Sequence, residues 1–177
     1  MLENNLLKRK NIFNKISNIL IISLVLFVGY RKIPEMFSRF KEQGLPSARI
    51  QVETLAGAVF DSENMHSPFV VVFWATWCAP CQIELSRLNT MILNKEIQPN
   101  SVLAISLQEE RSHVQEVAKE RDYKFQIGID SSGQIANDFK VEGTPTLILI
   151  DADKTIHWIT TGLSPKLEYR VGHFLKN

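Results

Sequence analysis

The segment Phe69-Val-Val-Val-Phe-Trp-Ala-Thr-Trp-Cys-Ala-Pro-Cys81 sets a buried strand directly before a pair of cysteines. Phe69–Ala75 is an unbroken apolar run rich in β-branched and aromatic residues, the pattern of a buried strand. Beyond the cysteines, Ile83, Leu85, Leu88, Ile92 and Leu93 recur at helical spacing, so a helix begins where the strand ends. Cys78 and Cys81 are the only cysteines in 177 residues, so each can pair only with the other or with a partner molecule. Unpaired N–H groups and the positive end of the helix dipole favour a thiolate, the nucleophile of disulfide exchange. Cys78, at the helix start, is the expected attacking residue.

Other uses of the pair fit the sequence less well. A structural zinc site needs four ligands, whereas His66, His113, His157 and His173 are scattered and no second Cys-x-x-Cys accompanies the first. Covalent haem attachment requires a histidine after the second cysteine, and Gln82 stands there. A purely structural disulfide would close so short a loop that its effect on chain entropy is small. A copper-handling module, with the two thiols as soft ligands, stays open as an alternative, although no methionine lies within ten residues of Cys78. So does a binding protein with an incidental redox pair. Thiol chemistry of this kind needs no metal and no cofactor. The net charge of +1 arises from 20 basic and 19 acidic residues and gives no reason to expect a nucleic-acid partner.

Ile19–Tyr30 is the most apolar run, preceded by Lys8, Arg9, Lys10 and Lys15. That pattern marks an export signal or a membrane anchor. The uncharged stretch Ile16–Tyr30 is shorter than the roughly 20 residues that span a bilayer as a helix, so a span would recruit its flanks, with Lys15 and Arg31 snorkelling to the interfaces. Phe27-Val-Gly29 offers a poor cleavage site because of the bulky phenylalanine, which favours an uncleaved transmembrane anchor. Arg31, Lys32, Arg39 and Lys41 follow the run closely, so counting positive charges hardly decides orientation. The lone redox pair does: it suits an oxidising extracytoplasmic space. Residues 1–30 are thus expected to be a cytoplasmic tail and signal anchor in a bacterial cytoplasmic membrane. Residues 31–48, with Pro34, Gly44 and Pro46, form a linker, and residues 49–177 form one domain.

Within that domain strands and helices alternate. A strand pair flanks Gly57, covering Ile50–Leu55 and Ala58–Phe60. The strand Phe69–Ala75 leads into a helix from Cys78 to Asn94. Strands follow at Val102–Leu107, Phe125–Ile129 and Thr146–Ile150, with helices at Ser112–Arg121 and Gly133–Phe139 between them. Asp151–Lys154 turns the chain into a last strand, Thr155–Thr161, and a terminal helix covers Pro165–Leu175 with Ser164 as its N-cap and Pro165 at its first position. The class is α/β, a central mixed β-sheet flanked by helices, with an antiparallel edge made by the 151–154 hairpin.

Phe73-Trp-Ala-Thr-Trp-Cys-Ala-Pro-Cys81 together with Gly143-Thr-Pro-Thr146 and Leu147-Ile-Leu-Ile-Asp151 resembles the thioredoxin-like proteins, and within them the membrane-anchored extracytoplasmic TlpA/ResA-like branch. The resemblance covers roughly residues 48 to 176. It implies a thioredoxin-like fold and thiol–disulfide oxidoreductase activity, with Cys78 attacking and Cys81 resolving. It also implies a cis Thr144–Pro145 bond beside the cysteines, where the Thr144 backbone receives an extended substrate segment. Glu84, three residues after Cys81 and so on the same helix face, matches a glutamate that accepts protons from the thiols in the ResA-like branch. The buried aspartate of ordinary thioredoxin is replaced by Val72. Trp77 is expected to be partly exposed on the docking surface and Trp74 to be core. Lys154 stands where the hairpin usually has glycine. Ala79-Pro80 resembles the Gly-Pro of reducing thioredoxins more than the Pro-His of strong oxidants, which favours a reductase, for cytochrome c maturation or for mispaired disulfides, over a thiol oxidase. The implied partners are disulfide- or thiol-containing proteins and a membrane electron donor such as a DsbD/CcdA-like carrier.

Cell fractionation checks the anchor. The full-length chain is expected with the membrane and a truncation beginning at Arg49 in the soluble fraction. Protease added to spheroplasts should digest the domain, and a protected domain would reverse the orientation.

Overall fold

The computed structural model describes residues 21–23, which are helical, and residues 43–176. Most of the expected anchor and linker lies outside the described residues, among which no helix is long and apolar enough to cross a membrane.

Seven strands and four α-helices follow one another in residues 43–176: β1 (Gln51–Glu53), β2 (Val59–Asp61), β3 (Phe69–Trp74), α1 (Ala79–Leu93), β4 (Val102–Leu107), α2 (Arg111–Glu120), β5 (Gln126–Asp130), α3 (Gln134–Asp138), β6 (Thr146–Ile150), β7 (Ile156–Thr161) and α4 (Leu167–Phe174). The central sheet has the order β5-β4-β3-β6-β7. β3, β4 and β5 run parallel, joined by helical crossovers, while β6 and β7 run antiparallel to their neighbours. This is the mixed sheet with an antiparallel edge that the alternating pattern and its hairpin predicted, in the thioredoxin-like form that the family resemblance implied.

Every residue of β3 is buried, because alternate side chains enter two cores. Val70, Val72 and Trp74 pack with Leu85, Leu88 and Met91 of α1, Val114 of α2, and Leu167, Val171 and Phe174 of α4. Phe69, Val71 and Phe73 pack on the other face with Ile50, Val52, Phe60, Phe139, Ile148 and Ile150. Phe73 and Phe139 meet with ring centroids 5.6 Å apart. A strand buried on both faces needs a continuous apolar run, which is why Phe69–Trp74 lacks the alternation of a half-exposed strand.

Two local expectations are refined. Ser164 does not cap the terminal helix, which starts at Leu167 behind Lys166; the Ser164 backbone is instead engaged by side chains of α1. The hairpin residue Lys154 adopts a left-handed φ of 67°, the conformation that a glycine would adopt without steric cost. Its ammonium donates to the carbonyls of Met65 and Ala152, which ties the turn to a neighbouring loop. Residues at the end of the expected linker also reach this hairpin, with Gly44 N–H on the Ile156 carbonyl at 2.8 Å and Ser47 N–H on the Lys154 carbonyl at 2.7 Å.

Gly128 is required by close approach. The β1–β2 pair lies over β5, and a Cβ on Gly128 would stand 2.7 and 2.9 Å from the two methyl carbons of Val52. A β-branched side chain, 6% exposed, has no free rotamer to escape into. Gly128→Ala is expected to lower stability in urea unfolding by about 1–3 kcal/mol, and Val52→Ala in the same chain should recover part of that loss.

Candidate active site

The cysteine loop leaves the C-terminal end of β3 and enters α1 at once. Cys78 is the N-cap of that helix, Ala79 and Pro80 are its first residues, and proline is tolerated there because its missing N–H has no helical acceptor. Cys78 and Cys81 are joined by a disulfide with Cα atoms 5.2 Å apart. Cys81 N–H points at Cys78 Sγ at 3.2 Å, and Gln82 N–H bonds the Cys78 carbonyl. In the dithiol form the same N–H and the helix dipole lower the thiolate's free energy. Cys78 is 5% exposed and Cys81 is fully buried.

Side chains far away in sequence pin the loop before Cys78. Thr76 N–H lies 2.9 Å from Glu109 Oε2, and the Thr76 hydroxyl also donates to this carboxylate. Ser106 of β4 donates to the same oxygen at 2.7 Å. Gln82 Nε2 holds the Thr76 carbonyl at 2.7 Å, and Arg121 in turn holds Gln82 Oε1 at 2.9 Å. Thr76 is thereby buried while its neighbour Trp77 is 78% exposed. Trp74, two residues before Thr76, is fully buried as expected.

The second motif reaches the same end of the sheet through strand register. Phe73 pairs with Thr146, so Pro145 comes level with the end of β3 from which the cysteine loop departs. The Thr144–Pro145 bond is cis. Pro145 is buried and Thr144 half-buried. The Pro145 carbonyl accepts Gly162 N–H at 2.7 Å, whereas among the described residues none bonds to the Thr144 backbone.

Glu84 is fully buried on α1. Its Oε1 accepts Ser164 N–H at 3.1 Å and its Oε2 lies 3.2 Å from Arg87 Nη1. Burial pushes the carboxyl above its ordinary range, while Ser164 N–H and the Arg87 charge oppose that rise. Sequence reading missed Arg87, Ser164, Glu109 and Gln82. Only Gln82 and Arg87 lie near the motif; the Glu84–Ser164 contact spans 80 positions. A cleft lined by Asp151, His157, Trp158, Arg170 and His173 lies where β6 ends and β7 begins. β6 is antiparallel to β3, so that cleft is at the end of the sheet away from the cysteines.

A cysteine pair at a helix start, beside a cis-proline turn on a mixed five-stranded sheet, defines a thioredoxin-fold thiol–disulfide oxidoreductase. Residues 37–159 match the AhpC/TSA family model. Among curated relatives, thiol-disulfide oxidoreductase ResA of Bacillus cereus is 27% identical over 150 residues, covering 83% of this chain and 86% of that protein. The thioredoxin-like protein YneN of Bacillus subtilis is 30% identical over 162 residues, covering 86% and 92%. Among solved structures, a putative thiol:disulfide interchange protein DsbE from Chlorobium tepidum superposes with a TM-score of 0.67 at 22% identity, over 76% of this chain and 95% of the other. The chain belongs to the AhpC/TSA family and is a ResA/TlpA-like member of the thioredoxin-like proteins.

The raised Glu84 carboxyl has a consequence for stability with a definite sign. The folded state holds this proton more tightly than the unfolded chain, so Glu84 ionisation subtracts stability as pH rises from the ordinary carboxylate range through the raised folded value. Glu84→Gln removes that loss. Its melting temperature relative to the unsubstituted protein should therefore increase from acid to neutral pH, as followed by circular dichroism; a constant difference would mean that Glu84 titrates as it does in solvent.

Proposed function

We propose that this oxidoreductase reduces protein disulfides outside the cytoplasm, held at the bacterial cytoplasmic membrane by its N-terminal segment. The observation that carries the reading is the asymmetry of the pair: Cys78 caps the helix and receives an N–H, while Cys81 is fully buried behind it.

In the dithiol form, the Cys78 thiolate attacks one sulfur of a substrate disulfide. A Cys78–substrate bond forms, the substrate S–S bond breaks, and the leaving sulfur takes a proton from solvent. Glu84 then accepts the proton of Cys81. The resulting thiolate attacks Cys78 Sγ, closing the enzyme disulfide and releasing the second substrate sulfur. Two electrons pass from the enzyme dithiol to the substrate, and the same steps reversed would oxidise a dithiol.

Trp77 supplies an exposed apolar face beside Cys78, and the Thr144 backbone, ahead of Pro145, lies open to an extended substrate segment. Ala79-Pro80 supports the reducing direction. A DsbD/CcdA-like membrane carrier would return the electrons, and the substrates would be apocytochrome c thiols trapped as disulfides or mispaired disulfides of other exported proteins. The names of the ResA relatives, thiol-disulfide oxidoreductases, support the chemistry.

Cys81→Ser is expected to accumulate mixed disulfides between Cys78 and substrates in cells, seen as reductant-sensitive adducts on gels, while Cys78→Ser accumulates none. The reverse result would exchange the two roles. Equilibration of the pair with glutathione should give a potential nearer the about −270 mV of thioredoxin than the about −120 mV of a strong oxidant; a value at the oxidising end would overturn the direction.

A further inference from the structure

Arg87 lies one turn beyond Glu84 and is held from outside its own helix. Its Nε and Nη2 donate to the two carboxylate oxygens of Glu168 on α4 at 2.7 and 2.6 Å. Its Nη1 donates to the Ser164 carbonyl at 2.7 Å and also faces Glu84 Oε2 at 3.2 Å. A guanidinium is planar, and its donors form a rigid fork. With Glu168 on one edge and Ser164 on another, the direction in which Nη1 meets Glu84 is set by α4 and the loop before it.

The groups that act on Glu84 come from three directions. Arg87 lies on its own helix, Glu168 on α4, and the Ser164 N–H on the β7–α4 loop. The thiol of Cys81 precedes it by one turn. Burial and, more weakly, Glu168 favour the neutral carboxyl, while Arg87 and Ser164 favour the carboxylate. A base that is mostly neutral at working pH accepts no proton, so the balance among these groups controls the resolving step.

We propose that Arg87, clamped by Glu168, is a positioning residue for thiol–disulfide exchange: it orients Glu84 and keeps it a carboxylate, ready to take the Cys81 proton. The inference rests on Glu84 as the proton acceptor and adds the pair that makes it one. It moves a single proton from Cys81 Sγ to a Glu84 oxygen and transfers no electrons. A purely structural Arg87, tying α1 to α4, would change melting temperature without moving the pH dependence of the reaction.

The test uses full-length protein in detergent, with insulin disulfides as the probe, and initial rates from about pH 5 to pH 9. Arg87→Gln is expected to displace the acid limb of the rate profile upward by about one pH unit, the effect of removing an opposite charge at this distance. Arg87→Lys keeps a cation but loses the fork, and its limb should fall between the two. In a Glu84→Gln background Arg87→Gln should cause no further displacement. An Arg87→Gln limb that coincides with the unsubstituted one, while Glu84→Gln flattens the profile, would sink the inference and leave Glu84 as the base. A Glu84→Gln profile identical to the unsubstituted one would sink the Glu84 reading itself. Equal displacement with and without Glu84 would mean that Arg87 acts directly on the thiols, which also overturns the proposal. Should Arg87→Gln not fold, the Arg87→Lys limb decides: upward displacement supports the clamp, and none overturns it.

Discussion

β3 is paired on both edges and buried on both faces, and the rest of the site takes its position from that strand. Its parallel bond to β4 carries Ser106, the partner of Glu109, to the end where the cysteine loop begins. Its antiparallel bond to β6 brings the cis Thr144–Pro145 turn to the same end. Shifting either pairing by one residue would turn core side chains of a strand with no solvent face into the wrong core. The register that fills the two cores thus also assembles the site, and substrate chemistry need not be strong enough to do so.

The two sulfurs occupy different electrostatic surroundings although they are one helical turn apart. Cys78 sits where the helix leaves its N–H groups unpaired, and negative charge is favoured there. Cys81 lies inside the first turn, buried, with a buried carboxyl on the same face a turn further on. A carboxylate there opposes a second thiolate, whereas a carboxyl that takes the proton removes that repulsion. On the proposed mechanism the order of events follows: Cys78 is charged first, and Cys81 becomes a nucleophile only as Glu84 is neutralised.

The parts of the fold that repeat along the chain were legible in the sequence. The apolar run of β3, the helical spacing after Cys81 and the alternation of elements up to the 151–154 hairpin all depend on near neighbours, and element ends moved by only a residue or two. Trp74 in the core and Trp77 in solvent were also foreseen. Glu84 was legible as a residue, but its burial was not, since nothing in Glu-Leu-Ser-Arg announces that Ser164 will cover it. The Ser164 cap failed for the same reason: Ser-Pro reads locally as a helix start, yet the serine backbone is committed to Glu84 and Arg87. Contacts such as Arg87–Glu168, 81 positions apart, exist only once α1 and α4 have packed through Leu85, Leu88, Leu167 and Val171.

Thr76 and Trp77 show how a buried polar network can serve an exposed surface. Glu109 accepts from both donors of Thr76 and is itself held by Ser106, while Gln82 donates to the Thr76 carbonyl, and removal of Glu109 or Gln82 would leave unpaired polar groups under the loop, each costing about 1–3 kcal/mol. That cost keeps the loop in one conformation, so the indole of Trp77 projects into solvent from a backbone that cannot relax toward the core. An exposed aromatic on a mobile loop would lose conformational freedom when a partner binds, whereas one on a pinned loop loses little. If Trp77 forms part of the docking face as proposed, the hydrogen bonds that pin Thr76 therefore contribute to its affinity for substrate. Glu109, 33 positions beyond Thr76, is the residue on which both the strand and the loop converge.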